Sequence, residues 1–316
     1  MLELTQNLNA IMVHGGWTTR WINMAIKVPA LIRADGILIF GYRAMFYDQL
    51  VFEILRRKRC SLVFDIADIP HIQPMYFGVN IGNEKYTAMK ENFDNLLNLS
   101  DTLLVISPTL AKLLELSQKR TIFVPNASNP LLFKETPIPK NEKKIILYVG
   151  GYAPMRGVEC LVEAFNLLKK KRQDILLKLV GANMPSNLGQ ADDIIIETNK
   201  FYPDIPEIYS RAYLCVIPHV KNPYMDAALP IKLFDAMASA RPIVATDCYE
   251  TSKLINNEKC GLIAKGNDAR SLADSIDYLL QNPAAAQELG QSGRQSVVER
   301  HSWFHRAQMI RDNFGN

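Results

Sequence analysis

Short apolar runs that end in glycine or a charge alternate with longer amphipathic stretches along most of this chain. In the second half, Lys144-Ile-Ile-Leu-Tyr-Val-Gly150 is an apolar run of strand length, the pattern of a strand buried on both faces. Over 158–171, Leu161, Phe165 and Leu168 recur at spacings of three and four. That stretch runs into Lys169, Lys170, Lys171 and Arg172, cations suited to a helix C-terminus. The same reading gives strands at 175–180, 194–196, 213–218, 242–245 and 261–264, and helices at 205–211, 231–240 and 271–280. In the first half it predicts strands at 10–13, 36–40, 61–64, 102–106 and 121–124, and helices at 46–57, 84–99 and 108–116.

Strands alternating with helices of this length imply parallel sheets covered on both faces, and right-handed crossovers make them doubly wound, Rossmann-like units. The 316 residues suit two domains. Pro125, Pro130, Pro137 and Pro139 mark a linker. The expected division is 1–138 and 143–300, two α/β domains facing each other across a cleft, a default ligand site. Such sheets bind ligands at the carboxyl ends of their strands, so chemistry is expected in the loops after Val149, Pro218 and Ala245.

Composition narrows the classes. Hydrophobic residues make up 48% and charged residues 22%, ordinary globular values that exclude disorder. A net charge of +4 is too small to make nucleic acid the main partner. The five cysteines have no zinc-ligand or redox-motif spacing and read as reduced thiols of a cytosolic protein. The first residues lack the pattern of a secretory signal, and no apolar run reaches the roughly 18 residues of a membrane span. The expectation is a cytoplasmic protein that at most touches a membrane surface.

Three segments carry candidate chemistry. Gly150 and Gly151 follow a strand, where bare backbone N–H groups can approach an anion, and Arg156 stands at the mouth of the next helix, where its planar fork suits a diphosphate. On spacing alone a strand-to-helix turn with a solvated arginine is the plainer reading, since short glycine motifs are weak evidence. In Asp226-Ala-Ala-Leu-Pro-Ile-Lys232-Leu-Phe-Asp235, Pro230 opens a helix and Lys232 lies in its first turn, a place that favours an anionic ligand. Asp235, three residues on, could accept both hydroxyls of a ribose; the alternative is a surface Lys–Asp pair. The residues 246–252 follow a strand and start a helix, with Thr251 able to close over a phosphate or to serve in ordinary helix capping.

These residues resemble glycosyltransferase family 4, the retaining group with the GT-B fold. Tyr148-Val-Gly-Gly-Tyr-Ala-Pro-Met-Arg-Gly-Val-Glu-Cys-Leu-Val-Glu-Ala-Phe165 is similar to the opening of the family's nucleotide-sugar domain. Lys232-Leu-Phe-Asp-Ala-Met-Ala-Ser-Ala-Arg-Pro-Ile-Val-Ala-Thr-Asp247 is similar to its signature helix, in the form with Pro-x-Lys. Glu299-Arg-His-Ser-Trp303 resembles the segment before the family's last helix, which implies that 301–316 crosses back to the first domain. Val63 to Asp68, Ile106-Ser107 and Val124-Pro-Asn126 to Phe133 look like its strand ends and hinge in the first half.

The resemblance implies a GT-B α/β fold and transfer of a sugar from a UDP- or GDP-sugar to a hydroxyl of a saccharide or lipid-linked acceptor. It implies retention, no cofactor and no metal; no Asp-x-Asp motif is present. Gly150, Gly151, Arg156, Lys232, Asp235 and Thr251 would bind the donor, with Arg156 and Lys232 neutralising the departing diphosphate. Most members have arginine at the position of Gly151 and glutamate at that of Asp235. The first signature glutamate falls on Ala227, leaving Asp226 as the acid to replace it. On the acceptor side, Asp65 and Asp68 follow a strand together with His71, the candidate base. The first domain is shorter than in most members, and His14-Gly15-Gly16 resembles a reduced form of its glycine-rich loop. Arg56-Arg57-Lys58-Arg59 after an apolar-faced helix could dock on anionic lipid or complete a helix C-terminus. Two alternatives stay open: a non-catalytic sugar-nucleotide-binding partner subunit, and a sugar-nucleotide epimerase of the same fold.

Overall fold

In a computed structural model of the chain, the structure describes residues 10–13, 36–40, 56–57, 61–139, 142–185, 188, 193–198 and 200–314. The chain divides into two compact units, Met1–Val124 and Pro125–Asn316. The loop at His14-Gly15-Gly16, Lys58, Arg59 and most of the helix expected at 46–57 lie outside the described residues.

The first unit holds one parallel sheet of five strands in simple sequential order: β1 (Ala10–Val13), β2 (Gly36–Phe40), β3 (Ser61–Ile66), β4 (Thr102–Val105) and β5 (Thr121–Phe123). Register is set by pairs such as Phe40↔Asp65 and Ile66↔Val105. Between β3 and β4 lie a short helix, α1 (Gln73–Tyr76), and the longer α2 (Asn83–Leu99), which buries Met89, Phe93 and Leu96 on one face. Helix α3 (Pro108–Leu113) is capped by Ser107, whose hydroxyl accepts from Leu110 N at 3.0 Å.

The second unit holds a six-stranded parallel sheet: β6 (Lys144–Val149), β7 (Ile175–Val180), β8 (Ile194–Glu197), β9 (Leu214–Ile217), β10 (Ile243–Thr246) and β11 (Gly261–Ala264). Their spatial order is β11-β10-β9-β6-β7-β8. The chain runs outward from β6 to β8, then returns to lay β9 against the other side of β6. That reversal is a topological switch point, where a crevice opens at the carboxyl ends of the two strands. The described strands of the first sheet contain no such reversal.

Both faces of this sheet are covered. Alternation along β6 sends Ile146 and Tyr148 into a core with α4 (Val158–Lys169) and Leu147 into a core with α5 (Ile205–Ser210). The remaining helices are α6 (Pro223–Asp226), α7 (Ile231–Ala238), α8 (Tyr249–Glu258), α9 (Ala269–Gln281), α10 (Pro283–Glu299) and α11 (Trp303–Phe314). Helix α7 is almost wholly apolar from Leu233 to Ala238 and is buried along that length.

The proline-bearing segment after Val124 belongs to the second unit and is held there by three arginines. Arg306 Nε donates to Pro125 O at 2.8 Å, and Arg294 Nη1 donates to Phe133 O and Ala238 O, each at 2.6 Å. Arg241, fully buried, donates to Tyr209 O at 3.0 Å and Thr136 O at 2.9 Å. Carbonyls that an irregular segment cannot pair within itself are satisfied by guanidinium forks.

Candidate functional site

The site forms at the switch point of the second sheet. Strand β6 ends in the turn Gly150-Gly151, and β9 ends at Ile217 with Pro218 and His219 beyond it. The first turn of α7 brings Lys232 to the same place, and a short 3-10 turn over Pro154–Arg156 brings Arg156. Two close approaches set this geometry. Gly150 has φ 145°, and a Cβ there would fall on Lys232 Nζ, so the ammonium lies against bare backbone. Gly157 has φ 66°, and its Cβ would overlap Pro218 O, so the turn carrying Arg156 packs directly on the end of β9.

Four side chains converge. Arg156 Nη1 reaches His219 Nε2 at 3.5 Å. A guanidinium can only donate, so Nε2 accepts and the imidazole proton sits on Nδ1, which is buried without a hydrogen-bond partner among the described residues. Lys232 is partly exposed along its stem, but its Nζ is enclosed, likewise without a partner there, and lies 4.3 Å from the centroid of the Tyr148 ring. Tyr148 is fully buried and donates its hydroxyl to Gly151 O at 3.0 Å.

Electrostatically the cluster is a set of cations and bases. Burial, and then the Arg156 charge, hold Lys232 well below the ordinary lysine range. Burial, Lys232 and Arg156 hold His219 well below the usual imidazole range. A buried amine with no hydrogen-bond partner among the described residues is unfavourable in its charged form unless a ligand supplies the opposite charge, so the enclosed Lys232 Nζ suits an anion.

Asp235 lies one helical turn beyond Lys232 but faces different partners. It is buried, and its Oδ1 accepts from Ser128 Oγ at 2.6 Å and from Tyr202 OH at 3.4 Å. Burial pushes the carboxyl up to about 7, against the opposing effect of those two hydrogen bonds. Asp226 and Thr251 are engaged nearby, between α6 and α8. Asp226 Oδ1 accepts from Tyr249 N at 2.9 Å at the start of α8, and the buried Thr251 Oγ1 donates to Ala228 O at 3.0 Å. Both side chains therefore tie the loop before α7 to α8, and Ala227 between them is buried.

On the first unit, Asp65 lies in β3 and burial pushes its carboxyl up to about 6; Asp68, just beyond the strand, is exposed. His71 is buried edge-on to Tyr86 and Phe93, with ring centroids 5.5 and 5.4 Å away. Its Nδ1 has no hydrogen-bond partner among the described residues, and burial lowers its pKa. Arg56 and Arg57 are exposed. Among the described residues no helix is long and apolar enough to cross a membrane, and no three His, Cys, Asp or Glu side chains gather as a metal site.

The structure thus joins Gly150, Gly151, Arg156 and Lys232, and adds Tyr148 and His219 to them. A tyrosine on a buried strand, two residues before a glycine pair, was the available signal for Tyr148. Ser128 and Tyr202, the partners of Asp235, lie 107 and 33 residues away from it in sequence and left no local signal.

The family model "Glycosyl transferases group 1" matches residues 131–296. An uncharacterized glycosyltransferase of Haemophilus influenzae is 28% identical over 176 residues, covering 53% of this chain and 48% of that protein. A poly(ribitol-phosphate) alpha-N-acetylglucosaminyltransferase of Staphylococcus aureus is 25% identical over 260 residues, 75% of this chain and 52% of that protein. The chain therefore spans about half the length of these curated relatives. Among solved structures, the Anabaena protein Alr3699/HepE in complex with UDP and glucose superposes with a TM-score of 0.74 at 14% identity, over 93% of this chain and 81% of that one. The likeness shows the fold, two Rossmann-like units of the GT-B kind. With the matched segment spanning the whole switch-point site from β6 to α8, the chain belongs to the glycosyl transferases group 1 family.

Proposed function

We propose that the chain transfers a sugar from a nucleotide diphosphate sugar, with UDP or GDP as the nucleotide, to a hydroxyl of a saccharide or lipid-linked acceptor, with retention and without a metal. The observation that carries this reading is the cluster at the switch point, where the enclosed Lys232 ammonium and the buried His219 Nδ1 have no hydrogen-bond partners among the described residues beside Arg156. In transfer the bond between the anomeric carbon and the diphosphate breaks, and negative charge grows on the leaving oxygen. Cations already in place stabilise that charge without reorganising. Gly151 offers its backbone N–H to the same phosphates, whereas the Gly150 N–H is already donated to Val180 O at 2.8 Å and that glycine serves by leaving room for Lys232. Asp235 takes the ribose hydroxyls, exchanging the Ser128 and Tyr202 bonds for them. Thr251 and Asp226 act on the donor through the loop before α7, which they hold to α8.

On the first unit the reading assigns Asp65, Asp68 and His71 to the acceptor. Asp65, its carboxyl at about 6, suits the transfer of a hydroxyl proton near neutrality. The test is a thermal-shift screen of UDP- and GDP-sugars, followed by detection of transferred sugar by mass spectrometry. A ligand at 100 times its dissociation constant adds about 2.7 kcal/mol, roughly 5–10 °C for a unit of this size. Arg156→Ala and Lys232→Ala should remove both the shift and the transfer. A shift with no transfer to any acceptor would make the chain a binding subunit, and wild-type rates in both variants would retire the site.

A further inference from the structure

We infer that Tyr148 is a positioning residue of the anion site, its ring face holding the Lys232 ammonium where a carboxylate counter-ion would otherwise stand; this rests on the donor reading above. Around the ammonium stand the Arg156 guanidinium, a like charge, the imidazole of His219, and the uncharged π-face of Tyr148. Asp235, on the same helix, is bonded to Ser128 and Tyr202.

A carboxylate beside Lys232 would hold it equally well, but would compete with a diphosphate for the ammonium and repel the ligand. An aromatic face attracts a cation through its quadrupole and carries no net charge, so it holds the lysine without spending its charge. The separation of 4.3 Å is within the range of such contacts.

The ring is itself fixed. Tyr148 sits on the central strand β6, packed in the core between β6 and α4, and its hydroxyl is bonded to Gly151 O. One side chain thus touches both the lysine and the Gly150-Gly151 turn beside it. Beside the ring, the missing side chain of Gly150 leaves room for the ammonium, because a Cβ there would meet both Lys232 Nζ and Tyr148 OH. Lys232 thus touches both a π-face and a bare turn, and it keeps this place when the diphosphate arrives.

The experiment is isothermal titration of UDP and of GDP into the full chain. The variants are Tyr148→Phe, a series with progressively fluorinated phenylalanine at position 148, Tyr148→Leu, and Lys232→Ala as the site control. Fluorine drains electron density from the ring face while nearly preserving its shape, so the series remains informative even where Tyr148→Leu does not fold. Tyr148→Phe should bind within about twofold of wild type. Affinity should then fall stepwise with each fluorine, to about tenfold weaker for the trifluorinated ring, with Tyr148→Leu similar. A purely structural tyrosine would lower the melting temperature of the leucine variant and leave the fluorinated series flat. A flat series, with Lys232→Ala still weakening binding, overturns the role of Tyr148 alone. Affinity that tightens with fluorination overturns it too, because the ring would then be stowing the lysine away from the ligand. If wild type binds neither nucleotide, or Lys232→Ala binds as wild type does, the donor reading and this inference fall together.

Discussion

Asp235 stabilises the protein least under the conditions in which the proposed reaction would need it, and Asp235→Asn makes that measurable. The carboxyl is buried and moved from 3.8 to about 7. Its folded-state pKa lies above its unfolded value, so between those two pH values the folded chain keeps a proton that the unfolded chain has released. Stability from this group is fully present below about pH 4, and is lost as pH rises through about 7. At about 1.4 kcal/mol per unit, the accumulated loss is about 4 kcal/mol, an order-of-magnitude figure.

Asparagine keeps an oxygen to accept from Ser128 and Tyr202 and carries no charge to bury. The variant should therefore exceed wild type by about 1.5 kcal/mol at pH 5 and by about 4 kcal/mol at pH 8. Urea unfolding of both proteins at the two pH values, with the slopes compared, reads the difference directly. A gap that does not widen with pH, or an asparagine variant that is weaker at pH 8, would refute the reasoning. Binding should move the other way: an amide accepts less well from two ribose hydroxyls, so UDP and GDP should bind the more stable protein less tightly. Opposite signs for stability and affinity are what a residue retained for a ligand produces.

Three further substitutions test the surrounding framework. Lys232→Met removes an enclosed amine whose pKa is lower folded than unfolded, so it should stabilise the chain near neutral pH, with the gain shrinking towards pH 10, while nucleotide binding is lost; urea titrations at pH 7 and 10 check the sign. Gly157→Ala places a methyl at φ 66° onto Pro218 O and should cost about 1–3 kcal/mol or more in strain, and weaken UDP or GDP binding by displacing Arg156 from His219; melting temperature and calorimetry read both effects. Arg241→Ala strips donors from the carbonyls of Thr136 and Tyr209 inside the second unit and should cost about 3 kcal/mol or more, seen as a lower urea midpoint.

Periodicity alone placed the strands well. Those at 175–180 and 261–264 match the observed bounds, because a strand buried on both faces is a continuous apolar run with little else to confuse it. Helix α10 carried no such signal and went unassigned. Its stripe is broken by Gly290 and Gly293, which read as interruptions in sequence. In the fold, Gly290 is the point where α10 comes close to other backbone: a Cβ there would strike Ala240 O.

The site divides along the same physical line. Gly150, Arg156 and Lys232 were visible because each stands next to a strand end or a helix start, and those boundaries are local properties of the chain. What could not be read was the strand order. Nothing in the pattern of β9 says that it returns to lie against β6, yet that return creates the switch point and brings His219 to Arg156. Asp235 is the opposite case, since its burial was present in the sequence and outweighed by its charge. Leu233, Phe234, Ala236, Met237 and Ala238 surround it on a helix apolar nearly all round, and an acid on such a helix is enclosed wherever it points. A carboxylate that costs folding energy above pH 7, on the same helix as an ammonium with no hydrogen-bond partner among the described residues, is what the proposed donor site would require, with two charges both held at the expense of the unliganded protein. Each is therefore expected to gain from the ligand that completes it.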